Sequence, residues 1–177
     1  DKNSQGAYAD AMKFFILFSL LIFLGMTLFI DVFKYIISTN YWEGLNIVPI
    51  VLMSFVFQGV FFNLSLWYKL TDKTMYGAAI SMLGVIIIFV GNVLLVPKLG
   101  YVGAAWSTFA CYFVMMVVSY FLGQKYMPVK YDLKSIGLYT VVALLLYAIS
   151  WFVDTPYQIV NFALKSVLMI AFLALIE

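Results

Sequence analysis

MYGAAISMLGVIIIFVGNVLLVPKLGYVGAAWSTFACYFVMMVVSYFLGQ, residues 75–124, decides the fold. It holds two uncharged runs, 75–96 and 100–124, separated by a turn containing Pro97, Lys98 and Gly100. A helix needs about 20 apolar residues to cross roughly 30 Å of hydrocarbon, and each run meets that length. Strands of an outer-membrane barrel would alternate apolar and polar residues at every second position, whereas these runs are continuous. Pro97 and Gly100 are helix-end residues, expected to stop one helix and restart the next.

The same grammar extends in both directions. The sequence predicts six spans, at about 12–37, 47–68, 75–96, 100–124, 135–153 and 155–176. The first contains the uncharged stretch 14–30 and is expected to continue past Asp31 and Lys34. Asp72 and Lys73 mark the turn before the third span, and Pro128 lies in the one substantial loop, 125–134. Thr155 followed by Pro156 has the chemistry of an N-cap with proline in the first turn. Pro49 removes a backbone donor near one end of the second span and is expected to kink it. The fold class is therefore all-α, a polytopic transmembrane helix bundle. The first apolar stretch has no small-residue cleavage site and is followed by further spans, so it is not a signal peptide.

Composition agrees. Of 177 residues, 66% are hydrophobic and 10% charged. Soluble domains run at about 45–50% and 25%, and a soluble core of this size cannot hide so much apolar surface. All ten basic residues are lysine, with neither arginine nor histidine. That removes the basic stripe of a nucleic-acid binder and the histidines on which most metal sites and acid–base catalysts rely. No paired carboxylates stand ready for general acid–base work, so no catalytic residue, metal or cofactor is assigned. Cys111 lies in an apolar run and reads as packing. The chain opens at Asp1 without methionine and stops directly after an apolar run, and it reads as a piece of a longer protein.

Lysine asymmetry orients the spans. Lys2, Lys13, Lys69, Lys73, Lys125, Lys130 and Lys134 fall on one side, Lys34 and Lys98 on the other, and Lys165 within a span. The lysine-rich side is expected to be cytoplasmic.

Three constellations invite a role. Gly77, Ser81, Gly84 and Gly91 fall within an arc of about 80° of the third span, and Gly103 and Ser107 continue the theme in the fourth. Small residues let helices approach where lipid supplies no hydrophobic drive, so these are expected to be packing positions. Trp106, Phe109 and Phe113 lie on another side of the fourth span and are expected to face lipid. Ser54, Gln58 and Ser65 share an arc of about 40° in the second span, with Asn63 nearly opposite. An amide at that depth needs a partner or a wet cavity, so this face either lines a passage or glues two helices. Lys165 falls about eleven residues into the last span and calls for either a partner or a function, because a mid-membrane lysine costs about 2.5 to 3.5 kcal/mol on insertion scales. With Ser54, Gln58 and Ser65 it is a candidate for a substrate cavity.

FNLSLWYKLTDKT at 62–74, NVLLVPKLGYVGAAWST at 92–108 and QKYMPVKYDLKSI at 124–136 occur in that order. The stretch resembles the C-terminal half of bacterial polysaccharide and lipid-linked oligosaccharide flippases of the multidrug/oligosaccharidyl-lipid/polysaccharide exporter superfamily. The resemblance implies about fourteen helices in two lobes that rock about a central cavity. Residues 1–124 would then be part of the C-terminal lobe, 125–134 a cytoplasmic loop and 135–177 two additional helices. It implies a multi-pass protein of the bacterial cytoplasmic membrane, with the bilayer and a lipid-linked oligosaccharide as partners and no nucleic acid. A coupling ion is left open. A multidrug exporter of the same superfamily is the alternative, and a membrane-embedded sugar-lipid polymerase or acyltransferase a second. The absence of arginine departs from relatives that hold anionic head groups with it.

The topology has a direct test. In a Cys111→Ser background, single cysteines at Thr71 and Met127 should react with impermeant reagent from the cytoplasmic side and one at Lys98 from the opposite side. Opposite accessibility of Thr71 and Met127 would break the assignment.

Overall fold

A computed structural model describes the backbone of residues 2–152 and 158–176, and the side chains of 6–150 and 161–174. Among the described residues every regular element is helical. The order is α1 (Lys2–Leu28), α2 (Ile30–Phe33), a 3-10 helix (Thr39–Ile47), α3 (Val48–Leu64), α4 (Leu66–Leu70), α5 (Thr74–Leu99), α6 (Tyr101–Tyr126), α7 (Leu133–Phe152) and α8 (Gln158–Ile176). Five stretches are long and apolar enough to cross a membrane: Gly6–Leu28, Thr39–Leu70, Thr74–Leu99, Tyr101–Tyr126 and Leu133–Ser150. The described part of α8, Asn161–Ala174, is apolar but shorter. Thr155 and Pro156 lie outside the described residues.

Several expected boundaries shift for physical reasons. The first span starts earlier and ends at Leu28, not near 37. Thr27 turns its hydroxyl onto the Phe23 carbonyl at 2.7 Å, and Val32 N–H reaches back only three residues to Phe29, so the helix tightens and breaks ahead of Asp31. Pro49 sits in the first turn of α3, where its missing N–H breaks no bond, so it starts a helix instead of kinking one. The second span itself breaks at Ser65, between α3 and α4.

Pro97 does not end α5, which continues to Leu99. Proline so close to the end forfeits only one backbone bond. The stop is Gly100, at φ 57° and ψ −135°, a conformation essentially closed to residues with a Cβ.

The chain forms two compact units, residues 1–15 with 47–131, and residues 16–46 with 132–177. This grouping differs from a division in chain order near 124–135, since residues 16–46 join the C-terminal helices. α1 runs from the first unit into the second.

In the first unit α6 packs against both α3 and α5. Its core is Phe61, Ile80, Cys111 and Met115. The predicted small-residue stripe faces α6 at Gly84 and Gly91. A Cβ at Gly91 would come within 2.7 Å of Ser107 Oγ and 2.9 Å of its Cβ, and one at Gly84 would strike Met115. Gly77 serves a different neighbour, the ring of Tyr68, at 2.6 Å from an added Cβ. Ser81 departs from the expectation: it is exposed, and its hydroxyl donates to the Gly77 carbonyl at 2.9 Å. Gly103 is the least forgiving, since its Cβ would lie 2.5 Å from the carbonyl oxygen of Leu95, which is backbone and not the end of a flexible side chain.

Trp106 and Phe113 are exposed on α6, but the face is not bare. Phe57 of α3 packs its ring on Phe109 and Phe113 at 5.2 and 5.3 Å. In the second unit Phe23 meets Tyr147 at 5.9 Å, Phe29 meets Phe162 at 5.2 Å, and Gly25 leaves room for Met169.

One chemical change should act with opposite sign at two glycines. Gly103→Ala drives a methyl into backbone that cannot yield and should destabilise by about 1–3 kcal/mol. Gly137→Ala, in α7 with nothing within 4 Å of its added Cβ, should be neutral or stabilising by up to about 1 kcal/mol. Thermal unfolding in detergent reads both.

Candidate functional site

α3 brings Ser54 and Gln58 to one face because they stand four residues apart. The three polar side chains of this face have different fates. Ser54 is fully buried and its hydroxyl donates to the Ile50 carbonyl at 2.7 Å. Ser65 is 1% exposed and donates to the Phe62 carbonyl at 2.6 Å, at the break between α3 and α4. Their donors are used within their own helix, and their burial keeps the remaining lone pairs from any passing solute. Gln58 is half-buried, and its amide makes no side-chain hydrogen bond among the described residues. Asn63, on the opposite face, donates to the Gly59 carbonyl at 3.1 Å. Of the predicted polar face, only Gln58 keeps its hydrogen-bonding capacity for something else.

A second amide belongs with it. Asn92 Oδ1, on α5, is the one fully buried side-chain nitrogen or oxygen without a hydrogen-bond partner among the described residues. An orphaned acceptor of this kind costs about 1–3 kcal/mol, so it marks a place where a donor is missing. Asn92 was legible in the sequence only as the opening of a motif; its burial depends on packing.

Lys165 has a counter-charge. Its Nζ donates to Asp31 Oδ2 at 3.0 Å, while Lys34 Nζ reaches Asp31 Oδ1 at 2.6 Å. Lys165 is 7% exposed and Asp31 half-exposed. Helical side chains lean toward the N-terminus, so the Lys165 ammonium points back along α8 toward its start, about 10 Å away at 1.5 Å per residue. Asp31 lies three residues beyond the apolar span Gly6–Leu28. The lysine that the sequence places within a span therefore has a counter-charge just past the end of another apolar stretch. The Lys34 partner, three residues along the same short helix, was expected; the Lys165 partner, 134 positions away, had no local signal.

The hydrogen bond from Lys34 is the first cause holding the Asp31 carboxyl below its ordinary value, opposed by partial burial and reinforced by the hydrogen bond and charge of Lys165. No protein-family model, curated protein or solved structure matches the chain.

The pair gives a stability test with a sign. A carboxyl with a depressed folded-state pKa stabilises the fold above the unfolded value, about 3.9, and that contribution fades as pH falls through the folded-state pKa. Asp31→Asn and Lys165→Met should show a coupling on the order of 0.5–3 kcal/mol at pH 7 in a double-mutant cycle. The coupling should shrink as pH falls below about 4. A coupling that ignores pH over that range would remove the ion pair as its source.

Proposed function

We propose that this chain forms part of a flippase of the bacterial cytoplasmic membrane that moves a lipid-linked oligosaccharide between leaflets by alternating access. The substrate class rests on the resemblance of residues 62–136 to polysaccharide flippases. The structural observation that carries a passage is Gln58, an unpartnered, half-buried amide in α3, whose other polar side chains, Ser54 and Asn63, bond to their own helix. A polar glycan crossing the bilayer needs donors and acceptors that the protein has not already used, and Gln58 has both. Ser54 and Ser65 frame that face without contributing free groups. Lys165 belongs, in this reading, to the Asp31 ion pair that joins α8 to α2, and not to the substrate path. The multi-pass character is common to every reading.

One feature favours the multidrug alternative. Trp106 and Phe113 present aromatic surface beside Phe109 and Phe57, and aromatic faces attract amphipathic cations. The two readings separate by phenotype. The flippase reading expects a null strain to lose surface polysaccharide with normal drug sensitivity; the exporter reading expects the reverse.

Within the flippase reading, Gln58→Leu should lower glycan export several-fold at normal protein abundance. Asn63→Leu should leave export unchanged, since Asn63 stands on the opposite side of α3 from Gln58. Equal effects, or a Gln58→Leu defect traced to lower abundance, would make Gln58 an interhelical contact and remove it from the passage.

A further inference from the structure

Where α4 turns into α5 and α6 ends, aromatic and basic side chains converge around Tyr126. Trp67 stacks on the Tyr126 ring, with centroids 5.5 Å apart and planes 13° from parallel. Its indole N–H donates to Ser119 Oγ at 3.3 Å, and Gly123 leaves the space the indole occupies. The Tyr76 hydroxyl lies 2.7 Å from that of Tyr126. Trp67 of α4 and Tyr76 of α5 thus hold the Tyr126 ring in place.

Two ammonium groups share that ring. Lys73 Nζ is 3.6 Å from its centroid and Lys125 Nζ 5.8 Å. Because both distances meet at one point, the charges are separated by no more than roughly one Debye length at physiological salt, about 8 to 10 Å. Neither lysine forms an ion pair among the described residues. A ring quadrupole attracts a cation without neutralising it, so the pair retains its charge and its mutual repulsion. An anion in contact with both would relieve that repulsion.

The surroundings say which anion. Trp67, Tyr68, Tyr76 and Tyr126 stand at the ends of the apolar stretches Thr39–Leu70, Thr74–Leu99 and Tyr101–Tyr126, where amphipathic rings sit at head-group level. Exposed apolar side chains, Leu70 and Met75 close by in sequence and Phe121 one turn back on α6, continue from the aromatic corner onto the spans. A phosphate with acyl chains attached fits such a border better than a free one. Lysine asymmetry puts this end on the cytoplasmic side, whose leaflet carries anionic lipid.

We propose that Lys73 and Lys125, set over Tyr126, form a docking site for the phosphate of an anionic phospholipid of the cytoplasmic leaflet. The site rests on the membrane reading and its orientation, and is independent of what the protein transports.

The test is lipid retention after extraction. Protein reconstituted in nanodiscs of equal phosphatidylglycerol and phosphatidylcholine, then released into detergent, is examined by native mass spectrometry. The wild type should keep phosphatidylglycerol preferentially. Lys125→Gln should reduce that preference about fivefold, and Lys73→Gln with Lys125→Gln by the product of two such factors. Arginine at both positions should restore it, and Lys98→Gln, at the opposite end of α5, should leave it intact. A preference unchanged in the double glutamine variant overturns the proposal, as does an equal loss in Lys98→Gln. Displacement of the lipid by millimolar glycerol phosphate would also overturn it, in favour of a soluble phosphate. Lys125 is exposed, so the single variant tests the site even where the double variant unfolds. The assay uses no transport step, so its failure is distinguishable from a failure of the flippase reading.

Discussion

The approach of α6 to the end of α5 constrains everything around it. Gly103 has its Cα against the carbonyl of Leu95, and four residues on, Ser107 fills the space left by Gly91. With lipid on the outside there is no hydrophobic gain in bringing two such helices together, so van der Waals contact between backbones has to supply the attraction. Each added methyl at these positions would lift the helices apart. The hairpin that results presents Cys111 and Met115 to Phe61 of α3, which completes the core of the first unit.

A second constraint is the disposal of polar groups. In hydrocarbon a hydroxyl without a partner is expensive, and this chain answers with the same device repeatedly: Thr27, Ser54, Ser81, Ser107, Thr108, Thr140 and Ser166 each return a hydrogen bond to the carbonyl four residues earlier. Against that background the amides of Gln58 and Asn92 stand out, because they are not settled within their own helices. Their spare capacity, one amide on α3 and one on α5, is set among satisfied hydroxyls.

Charge is managed locally as well. Asp31 takes Lys34 and Lys165 on its two oxygens, which lets α8 carry a lysine whose side chain is almost wholly buried. At Tyr126 the arrangement is different: two lysines share an aromatic ring and no carboxylate. One site is closed by the protein's own atoms and the other leaves positive charge to be met from outside.

The sequence by itself determined that the chain is helical and built of membrane-length apolar segments, because continuous runs of more than 20 uncharged residues leave the backbone no other way to satisfy its own hydrogen bonds in lipid. It also determined where small residues permit close packing, since helical periodicity places Gly84 and Gly91 on one face. Helix ends were less legible: Pro49 lies in a first turn, where proline breaks no bond, and α5 runs on through Pro97 to Leu99 despite the bond it loses there. Tertiary structure alone decided the rest. Whether Ser54 or Gln58 is free depends on which bond each side chain can reach, whether Lys165 has a counter-charge depends on Asp31, and whether Lys73 and Lys125 meet depends on Tyr126. Those are distances between residues far apart in the chain, and local periodicity holds no information about them.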